Sequence, residues 1–253
     1  MVMLRKILLY LLRPIGVRGK GDLRLLIHYR RHLLFTMKVL RASKSQIGQD
    51  VFVACQLQLW KQTNKPKYFV EFGATDGITL SNTYILEKIF DWDGLLIEPA
   101  RIWREHLIAN RNCKIDFRCV FDESGKTIQF NESVDAVYST IDQFSQGDQH
   151  AQQRNGGERY LVDTVSLNDV LTESGAPLVI DYLSIDTEGS ELQILQSVDF
   201  SKWKFKIITV EHNFMPQRIL INQLLLDFGY KRVFKNLSQM DDWYVQRGAQ
   251  SLV

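Results

Sequence analysis

A turn that is rich in glycine and in acids follows the first strongly apolar strand pattern of the sequence. Its residues are, in order, Glu71, Phe72, Gly73, Ala74, Thr75, Asp76 and Gly77. Gly73 permits a tight turn and a close approach of a ligand to the backbone. A helix is expected after the turn, so its free N–H groups face the same space. Because ligands of open α/β sheets bind outside the carboxyl ends of the strands, we predict a ligand site here.

The charges of this turn indicate which kind of ligand it accepts. A dinucleotide site requires the spacing G-x-G-x-x-G, but the second and third glycine positions counted from Gly73 hold Thr75 and Ile78. The carboxylates of Glu71 and Asp76 would repel a pyrophosphate and attract a cation. S-adenosylmethionine carries a sulfonium and an ammonium group and no phosphate. The pattern therefore favours this methyl donor over NAD.

A further acid, Glu98, ends the next predicted strand. A carboxylate in this place can accept hydrogen bonds from both ribose hydroxyls of a nucleoside. Alone, Glu98 is equally well explained as a surface acid, and Gly73 is better explained as an ordinary turn glycine. The two residues in this order, separated by a turn, a helix and a strand, favour a nucleoside ligand.

Alternating strands and helices are expected to position these residues. Strands are predicted over 68–72, 94–97, 115–121, 127–130, 160–165, 179–185, 205–210, 231–234 and 243–246. Helices are predicted over 47–60, 79–90, 101–110, 166–173, 188–197 and 216–228. The polar stretch 143–158 is predicted to be a mobile loop. This alternation predicts an α/β fold with a mostly parallel, doubly wound sheet and helices on both faces.

Four segments of the sequence resemble the FkbM-type methyltransferases. They are residues 45–50 (SQIGQD), 68–77 (YFVEFGATDG), 92–99 (WDGLLIEP) and 180–191 (IDYLSIDTEGSE), and the likeness extends over about 43–247. The resemblance implies a Rossmann-like class I methyltransferase fold and S-adenosylmethionine as the donor. It also implies transfer to oxygen, often on sugars or natural products, and leaves the acceptor open.

The resemblance further implies roles for individual residues. Gly73 and its neighbours would hold the methionine end of the donor, Glu98 the ribose, and Asp122, after the third strand, would lie near the adenine. Thr75 stands where the family often has Asn, and it keeps a small polar side chain there. The complete predicted cofactor-binding set is Glu71, Phe72, Gly73, Ala74, Asp76, Gly77, Asn82, Glu98 and Asp122.

Two later strand patterns end in polar residues that we expect at the same edge of the sheet. Methyl transfer to a hydroxyl requires an in-line arrangement of nucleophile, methyl carbon and sulfur, and the removal of a proton. Asp186 and His212 are the predicted catalytic residues and the candidates for the base. A histidine suits that work because its unperturbed pKa is about 6.5. Glu188 and Glu211 are predicted to bind the acceptor.

Structural roles or metal binding would account for the same polar residues. Glu188 could be an acid at a helix N-terminus, where the helix dipole favours it. Glu191 could be a solvated or paired acid, and His212 a hydrogen-bonded structural histidine. A divalent cation could be ligated by Asp186, Glu188, Glu211 and His212. We do not favour a metal, because no dense local ligand motif demands one.

The N-terminal region differs from the remainder in charge. Residues 1–44 contain eleven Lys or Arg and one acid, whereas the remaining residues contain twenty basic and twenty-eight acidic side chains. Apolar residues at helical spacing predict an amphipathic helix over 22–41: Leu26, Tyr29, Leu33, Met37 and Leu40. We therefore divide the chain into a basic helical extension, 1–44, and a Rossmann-like methyltransferase domain, 45–253.

The basic extension suggests an anionic partner. We expect residues 1–41 to contact an anionic membrane surface peripherally. The alternatives are a protein partner at Leu26, Leu33 and Leu40, or simple packing on the methyltransferase domain. Nucleic acid is not favoured, because no recognised binding module is present.

The cysteines and the apolar runs indicate the cellular compartment in which the protein is expected. Cys55, Cys113 and Cys119 show neither a disulfide framework nor a zinc spacing, which favours a reducing compartment. The apolar run 7–12 is too short to span a bilayer or to form a signal-peptide core. We expect a cytoplasmic S-adenosylmethionine-dependent methyltransferase that modifies a hydroxyl of a glycan or small metabolite. The alternative is a non-catalytic Rossmann-like scaffold that docks a membrane or protein partner through its basic extension.

Overall fold

The strands form two sheets, of which the larger is the central element of the fold. The computed structural model describes residue 14 and residues 17–61 and 65–248. Its strands are β1 (Tyr68–Phe72), β2 (Asp93–Ile97), β3 (Lys114–Asp116), β4 (Cys119–Phe121), β5 (Thr127–Glu132), β6 (Thr140–Ile141), β7 (Glu158–Ser166), β8 (Val179–Ile185), β9 (Lys204–Glu211), β10 (Tyr230–Val233) and β11 (Asp241–Gln246). The central sheet has the order β3-β2-β1-β8-β9-β11-β10. β11 runs in the opposite direction from the other six strands of this sheet, so the prediction of a mostly parallel sheet is confirmed.

Helices cover both faces of the central sheet. The α-helices of the described residues are α1 (Lys20–His28), α2 (Leu33–Ala42), α3 (Gln49–Gln56), α4 (Tyr84–Lys88), α5 (Arg104–Asn110), α6 (Leu167–Glu173), α7 (Glu191–Ser197) and α8 (Gln217–Asp227). Successive side chains of a strand point to opposite faces. Accordingly, Val70 packs in a cluster with residues of α6, α7 and α8, whereas Phe69 packs in a second cluster with residues of α1 to α5. The predicted doubly wound arrangement is confirmed.

The smaller sheet interrupts the regular alternation after β3. Its order is β4-β7-β5-β6. The prediction of one strand over 115–121 was wrong, because the chain leaves the central sheet between β3 and β4. The reason is local: the backbone N–H and the guanidinium of Arg118 both donate to the carboxylate of Asp116, which turns the chain.

The basic extension folds against the central sheet rather than apart from it. The single helix predicted over 22–41 is two helices, α1 and α2, separated by a turn of 3-10 helix over Arg30–His32. Leu25 and Leu40 are buried in the same cluster as Phe52 of α3. Leu33, predicted on the apolar face, is 43% exposed and is the first residue of α2 after the break. The apolar run 7–12 lies outside the described residues.

No helix among residues 17–61 and 65–248 combines the length and the apolar character that crossing a bilayer requires.

Candidate active site

The carboxyl ends of four parallel strands surround one cavity. Eight of the residues predicted from the sequence line it: Glu71, Phe72, Gly73, Asn82, Glu98, Asp186, Glu188 and Glu211. Residues 136–139 and 149–150, which belong to the region of the smaller sheet, line the same cavity. The parallel sheet thus brings both predicted halves of the site together, and the region of the smaller sheet, residues 119–166, which we call the inserted region, adds a wall to the cavity.

Gly73 is held in a backbone conformation that requires glycine. Its φ is +72°, in the left-handed region. A β-carbon at this position would overlap the backbone carbonyl oxygen of Asp186. The ends of β1 and β8 can therefore approach each other only because Gly73 has no side chain.

The carboxylate of Glu98 is buried and can accept more hydrogen bonds than it receives within the fold. Its two carboxylate oxygens accept the backbone N–H groups of Thr75 and Ala100, each at 2.9 Å. A carboxylate oxygen has two lone pairs, so each retains one for a ligand hydroxyl. Burial, assisted by the charges of Glu132 and Asp186, raises the pKa of Glu98 to about 7. This arrangement fits a carboxylate that accepts from a ribose diol.

Asn82 presents a buried amide oxygen without a partner. Its Nδ2 donates to the hydroxyl of Ser184 at 2.9 Å, whereas its Oδ1 accepts no hydrogen bond from the described residues. Leaving a buried polar atom unpaired costs about 1–3 kcal/mol. Asn82 lines the cavity, so an N–H donor of a ligand, such as an ammonium group, would satisfy this oxygen. The residues present therefore fit S-adenosylmethionine.

Glu71 has an internal role that the sequence did not indicate. Its carboxylate accepts hydrogen bonds from the hydroxyls of Ser81 and Thr83 and from the N–H of Asn82, at 2.5–3.0 Å for the shorter contacts. The guanidinium of Arg111 lies 3.8 Å from it. Glu71 therefore fixes the segment that carries Asn82. Its charge is already compensated, so the attraction expected between Glu71 and a cationic donor is weaker than the sequence suggested.

Four other predicted cofactor residues lie outside the cavity lining: Ala74, Asp76, Gly77 and Asp122. Asp76 accepts the N–H groups of Ile78 and Thr79 at 2.8 and 2.6 Å, and so closes the turn that follows Gly73. Asp122 is exposed. The residues that reach the cavity from this region are Cys119 and Val120 of β4, three and two positions earlier.

Three carboxylates form an acidic cluster in the cavity, near the carboxyl ends of β8 and β9. One oxygen each of Asp186, Glu188 and Glu211 lies within 4.8 Å of the others. Burial raises the pKa of Asp186 to about 6, and burial together with the charge of Asp186 raises the pKa of Glu188 and of Glu211 well above the ordinary value. Arg154 compensates one of these charges, with its Nη2 2.7 Å from Glu188. The cluster can accept hydrogen bonds from hydroxyl groups or provide oxygen ligands for a cation.

His212 does not reach this cavity, contrary to the expectation for a base. Its Nδ1 accepts the backbone N–H of Phe214 at 2.9 Å, and its Nε2 lies 3.5 Å from a carboxylate oxygen of Asp242. His212 is also absent from the acidic cluster. Its Nδ1 is therefore occupied within the fold, whereas its buried Nε2 faces Asp242 without a hydrogen bond among the described residues.

Glu191, which could have been solvated, is buried instead. Its carboxylate accepts the backbone N–H groups of Thr187 and Gly189, both at 3.0 Å. It therefore stabilises the turn that presents Glu188 before α7 begins.

His150 was not predicted from the sequence, and it lies in the stretch predicted to be a mobile loop. Its ring stacks on Tyr138 with 4.3 Å between the centroids, and both residues line the cavity. Its Nε2 lies 3.3 Å from Nε2 of Gln149, and its buried Nδ1 has no hydrogen-bond partner among the described residues. Burial lowers the pKa of His150 below its ordinary value, which favours the neutral form of the imidazole at the wall of the cavity.

A model of the methyltransferase FkbM domain matches residues 71–232, which is more than half of the chain. The chain belongs to the FkbM methyltransferase family. The resemblance stated from the four sequence segments is thereby confirmed, and the central sheet is that of a Rossmann-like class I methyltransferase. A comparison with curated proteins gives no match.

Several solved structures are similar to this family member at low sequence identity. The methyltransferase FkbM from Methylobacillus flagellatus KT is 12% identical with a TM-score of 0.44, and the match covers 89% of this chain and 58% of that one. This chain therefore spans less than two thirds of that protein. A TDP-rhamnose 3'-O-methyltransferase of calicheamicin biosynthesis is 12% identical, with coverages of 90% and 93% and a TM-score of 0.42. The N-terminal domain of human METTL16 in complex with SAH is 10% identical, with coverages of 81% and 72% and a TM-score of 0.40.

Proposed function

We propose that this protein is an S-adenosylmethionine-dependent methyltransferase that methylates a hydroxyl oxygen of a glycan or small polyhydroxylated molecule. One observation carries the proposal: the unpartnered amide oxygen of Asn82, just before α4, and the half-used carboxylate of Glu98, just after β2, line one cavity. This pair supplies an acceptor for an ammonium group and an acceptor for a ribose diol. The donor has both groups.

The donor side of the cavity is organised by residues with structural roles. Gly73 allows β1 to meet β8, and Glu71 holds Asn82 in place. Asp76 closes the turn. We assign the methionine end of the donor to Gly73 and Asn82 and the ribose to Glu98. Cys119 and Val120 replace Asp122 as the residues proposed to contact the adenine, because they reach the cavity.

The acceptor side combines hydroxyl-binding groups with a base. Carboxylates and amides accept hydrogen bonds from hydroxyls, and Asp186, Glu188, Glu211 and Asn213 offer them around one volume. This composition favours an acceptor with several hydroxyls over an apolar one. It leaves the position of methylation open.

His150 is our proposed base, with Asp186 as the residue that orients the reacting hydroxyl. S-adenosylmethionine supplies the electrophilic methyl group when bound. The hydroxyl oxygen forms a bond to that methyl carbon, the carbon–sulfur bond breaks, and its electron pair stays on sulfur. The hydroxyl proton passes to the ring nitrogen of His150 that carries no proton. Burial lowers the pKa of His150, which favours the neutral imidazole that can accept this proton.

A divalent cation is a compatible but not favoured addition to this site. Asp186, Glu188 and Glu211 have the oxygen ligands that such an ion takes. However, Arg154 already neutralises Glu188, and the remaining carboxylates can share protons because burial raises the pKa values of Asp186 and Glu211. The proposed chemistry therefore requires no ion.

Two measurements on the full-length protein test the function. Titration calorimetry with S-adenosylmethionine and S-adenosylhomocysteine should show binding, and Glu98→Gln should weaken it by roughly tenfold through loss of a hydrogen bond to a charged group. Asp122→Asn is the control and should bind as the wild type does. Labelled methyl transfer into cell-extract fractions, glycans first, then identifies the product.

The outcomes separate the proposal from its alternative. Absence of binding at millimolar donor would overturn the cofactor assignment. Binding without transfer into any fraction would favour the non-catalytic scaffold.

A further inference from the structure

The exposed positions of α1 and α2 carry basic and aliphatic side chains. We call this set the basic stripe, and its members are Lys20, Arg24, Ile27, Arg31, Leu34, Lys38 and Arg41. Within each helix the members are spaced three or four residues apart, the spacing of neighbours on a helix surface, and Arg31 lies in the 3-10 turn between the helices. All seven are exposed, with Ile27 at 56% and Leu34 at 82%. The stripe is therefore a surface feature rather than part of the core.

The positive charge of this surface is largely uncompensated. Among residues 17–44, Asp22 is the one acid, and it is buried and paired with Arg18. The guanidinium groups of Arg24 and Arg41 donate to the backbone carbonyls of Asn236 and Pro14, contacts that leave their charges unneutralised. No ion pair involves a member of the basic stripe within the described part of the chain.

The aliphatic members of the stripe distinguish between anionic partners. Proteins that bind single-stranded nucleic acid stack the bases on aromatic side chains, and the basic stripe has none. A lipid surface uses both kinds of residue, because aliphatic side chains enter the headgroup boundary while Lys and Arg remain among anionic headgroups. The remainder of the chain, 45–253, has eight more acids than bases, so an anionic surface would repel it and select this orientation.

We propose that the basic stripe docks this protein on an anionic lipid membrane. The stripe also has a spatial relation to the active site. A shallow groove beside α1 is lined by Arg18, Lys20, Arg24 and Gln46, and Gln46 lines the active-site cavity as well. Docking therefore places one edge of that cavity beside the membrane. The inference does not depend on methyl transfer, since it concerns binding alone.

Cosedimentation of the full-length protein with vesicles tests this surface. The protein should sediment with phosphatidylcholine vesicles that contain phosphatidylserine and stay in solution with phosphatidylcholine alone, and salt should weaken the binding. Arg31→Glu with Lys38→Glu should weaken binding at least about tenfold, because each basic residue near the surface contributes measurably. The control, Arg104→Glu with Lys231→Glu, makes the same change of net charge at exposed positions outside the stripe.

A second pair of variants tests the aliphatic contribution. Ile27→Ser with Leu34→Ser should reduce sedimentation several-fold, whereas Ile219→Ser with Leu220→Ser, exposed residues of α8, should not. Circular dichroism verifies that all variants are folded.

Three results would overturn the proposal. The first is that the wild-type protein stays in the supernatant with anionic vesicles. The second is that the stripe and control variants sediment alike. The third is RNA binding that is lost in the charge variant but unchanged in the serine variant, which would indicate a nucleic-acid surface instead.

Discussion

Arg154 donates from its fully buried guanidinium to the carboxylate of Glu188 at 2.7 Å. The same guanidinium binds both oxygens of Asp148, and its Nε donates to the carbonyl of Tyr138. One side chain thus joins the inserted region to the turn after β8. The wall that carries His150 is attached to the acidic cluster through this contact.

Removing Arg154 is expected to be costly. Arg154→Ala leaves Asp148 and Glu188 as buried, unpaired carboxylates, and breaking such a pair costs roughly 3–5 kcal/mol. Thermal unfolding should show a Tm lower by about 6 °C or more. Arg159→Ala removes a partly exposed pair with Asp142 and should cost at most about 1 kcal/mol. Equal effects of the two substitutions would show that Arg154 does not anchor the insertion.

Gly73→Ala should abolish donor binding. The added methyl group overlaps the carbonyl of Asp186, so β1 and β8 must separate at the floor of the cavity. Gly125→Ala is a matched control: its φ of +80° is close to the +72° of Gly73, but nothing lies within 4 Å of the added carbon. The control should lose only about 1 kcal/mol of stability from the left-handed backbone and keep its affinity in calorimetry. Normal donor affinity in Gly73→Ala would contradict the assigned role.

The stability of the ligand-free protein should fall as the pH rises from about 4 to 8. Burial is the main cause that raises the pKa of Asp186 to about 6, of Glu98 to about 7 and of Asp241 to about 8. The folded protein therefore binds these protons more tightly than the unfolded chain. The resulting stabilisation is fully present below the unfolded pKa values, near 4, and is lost as the pH passes through the folded values. Scanning calorimetry across this range measures the effect.

Asp241→Asn tests the contribution of Asp241 to this pH dependence, because its pKa is raised furthest of the three. The neutral amide needs no proton to be buried, and its oxygen can still accept from Nε2 of Gln49, as Asp241 does at 2.8 Å. The variant should have a Tm at pH 8 that is about 3 °C or more above the wild type, with little difference near pH 4. Asp227→Asn changes an exposed acid and serves as the control. If the pH dependence of Tm were unchanged in Asp241→Asn, the protonation of Asp241 would not contribute to stability.

His150→Gln should lower kcat and spare donor binding. Loss of a general base costs about 100-fold or more in rate, whereas the donor side is formed by Gly73, Asn82 and Glu98. His212→Gln changes a histidine that faces Phe214 and Asp242. It should mainly lower Tm. If His212→Gln lost kcat at normal Tm while His150→Gln retained activity, His212 would be the base and His150 the structural residue.

The parallel sheet and the donor turn could be predicted from the sequence, because they depend on patterns within short segments. Apolar runs fix the strands, and carboxyl ends of parallel strands share one edge, which brings Glu98 and Asp186 to a common cavity. The placement of Asp122 could not be predicted, since the chain leaves the central sheet at Arg118 through a hydrogen bond that competes with strand pairing.

The sequence by itself determined the family, the fold and the edge of the sheet at which chemistry is expected. Only the tertiary structure decided which polar groups are free to act. Glu71 is occupied by partners within the fold and His212 does not line the cavity, whereas Asn82 and His150 line it and each keep an atom without a hydrogen-bond partner among the described residues. The physical reason is that hydrogen-bond satisfaction depends on contacts between distant segments, such as Arg154 with Glu188. Residue type and local spacing do not encode such contacts.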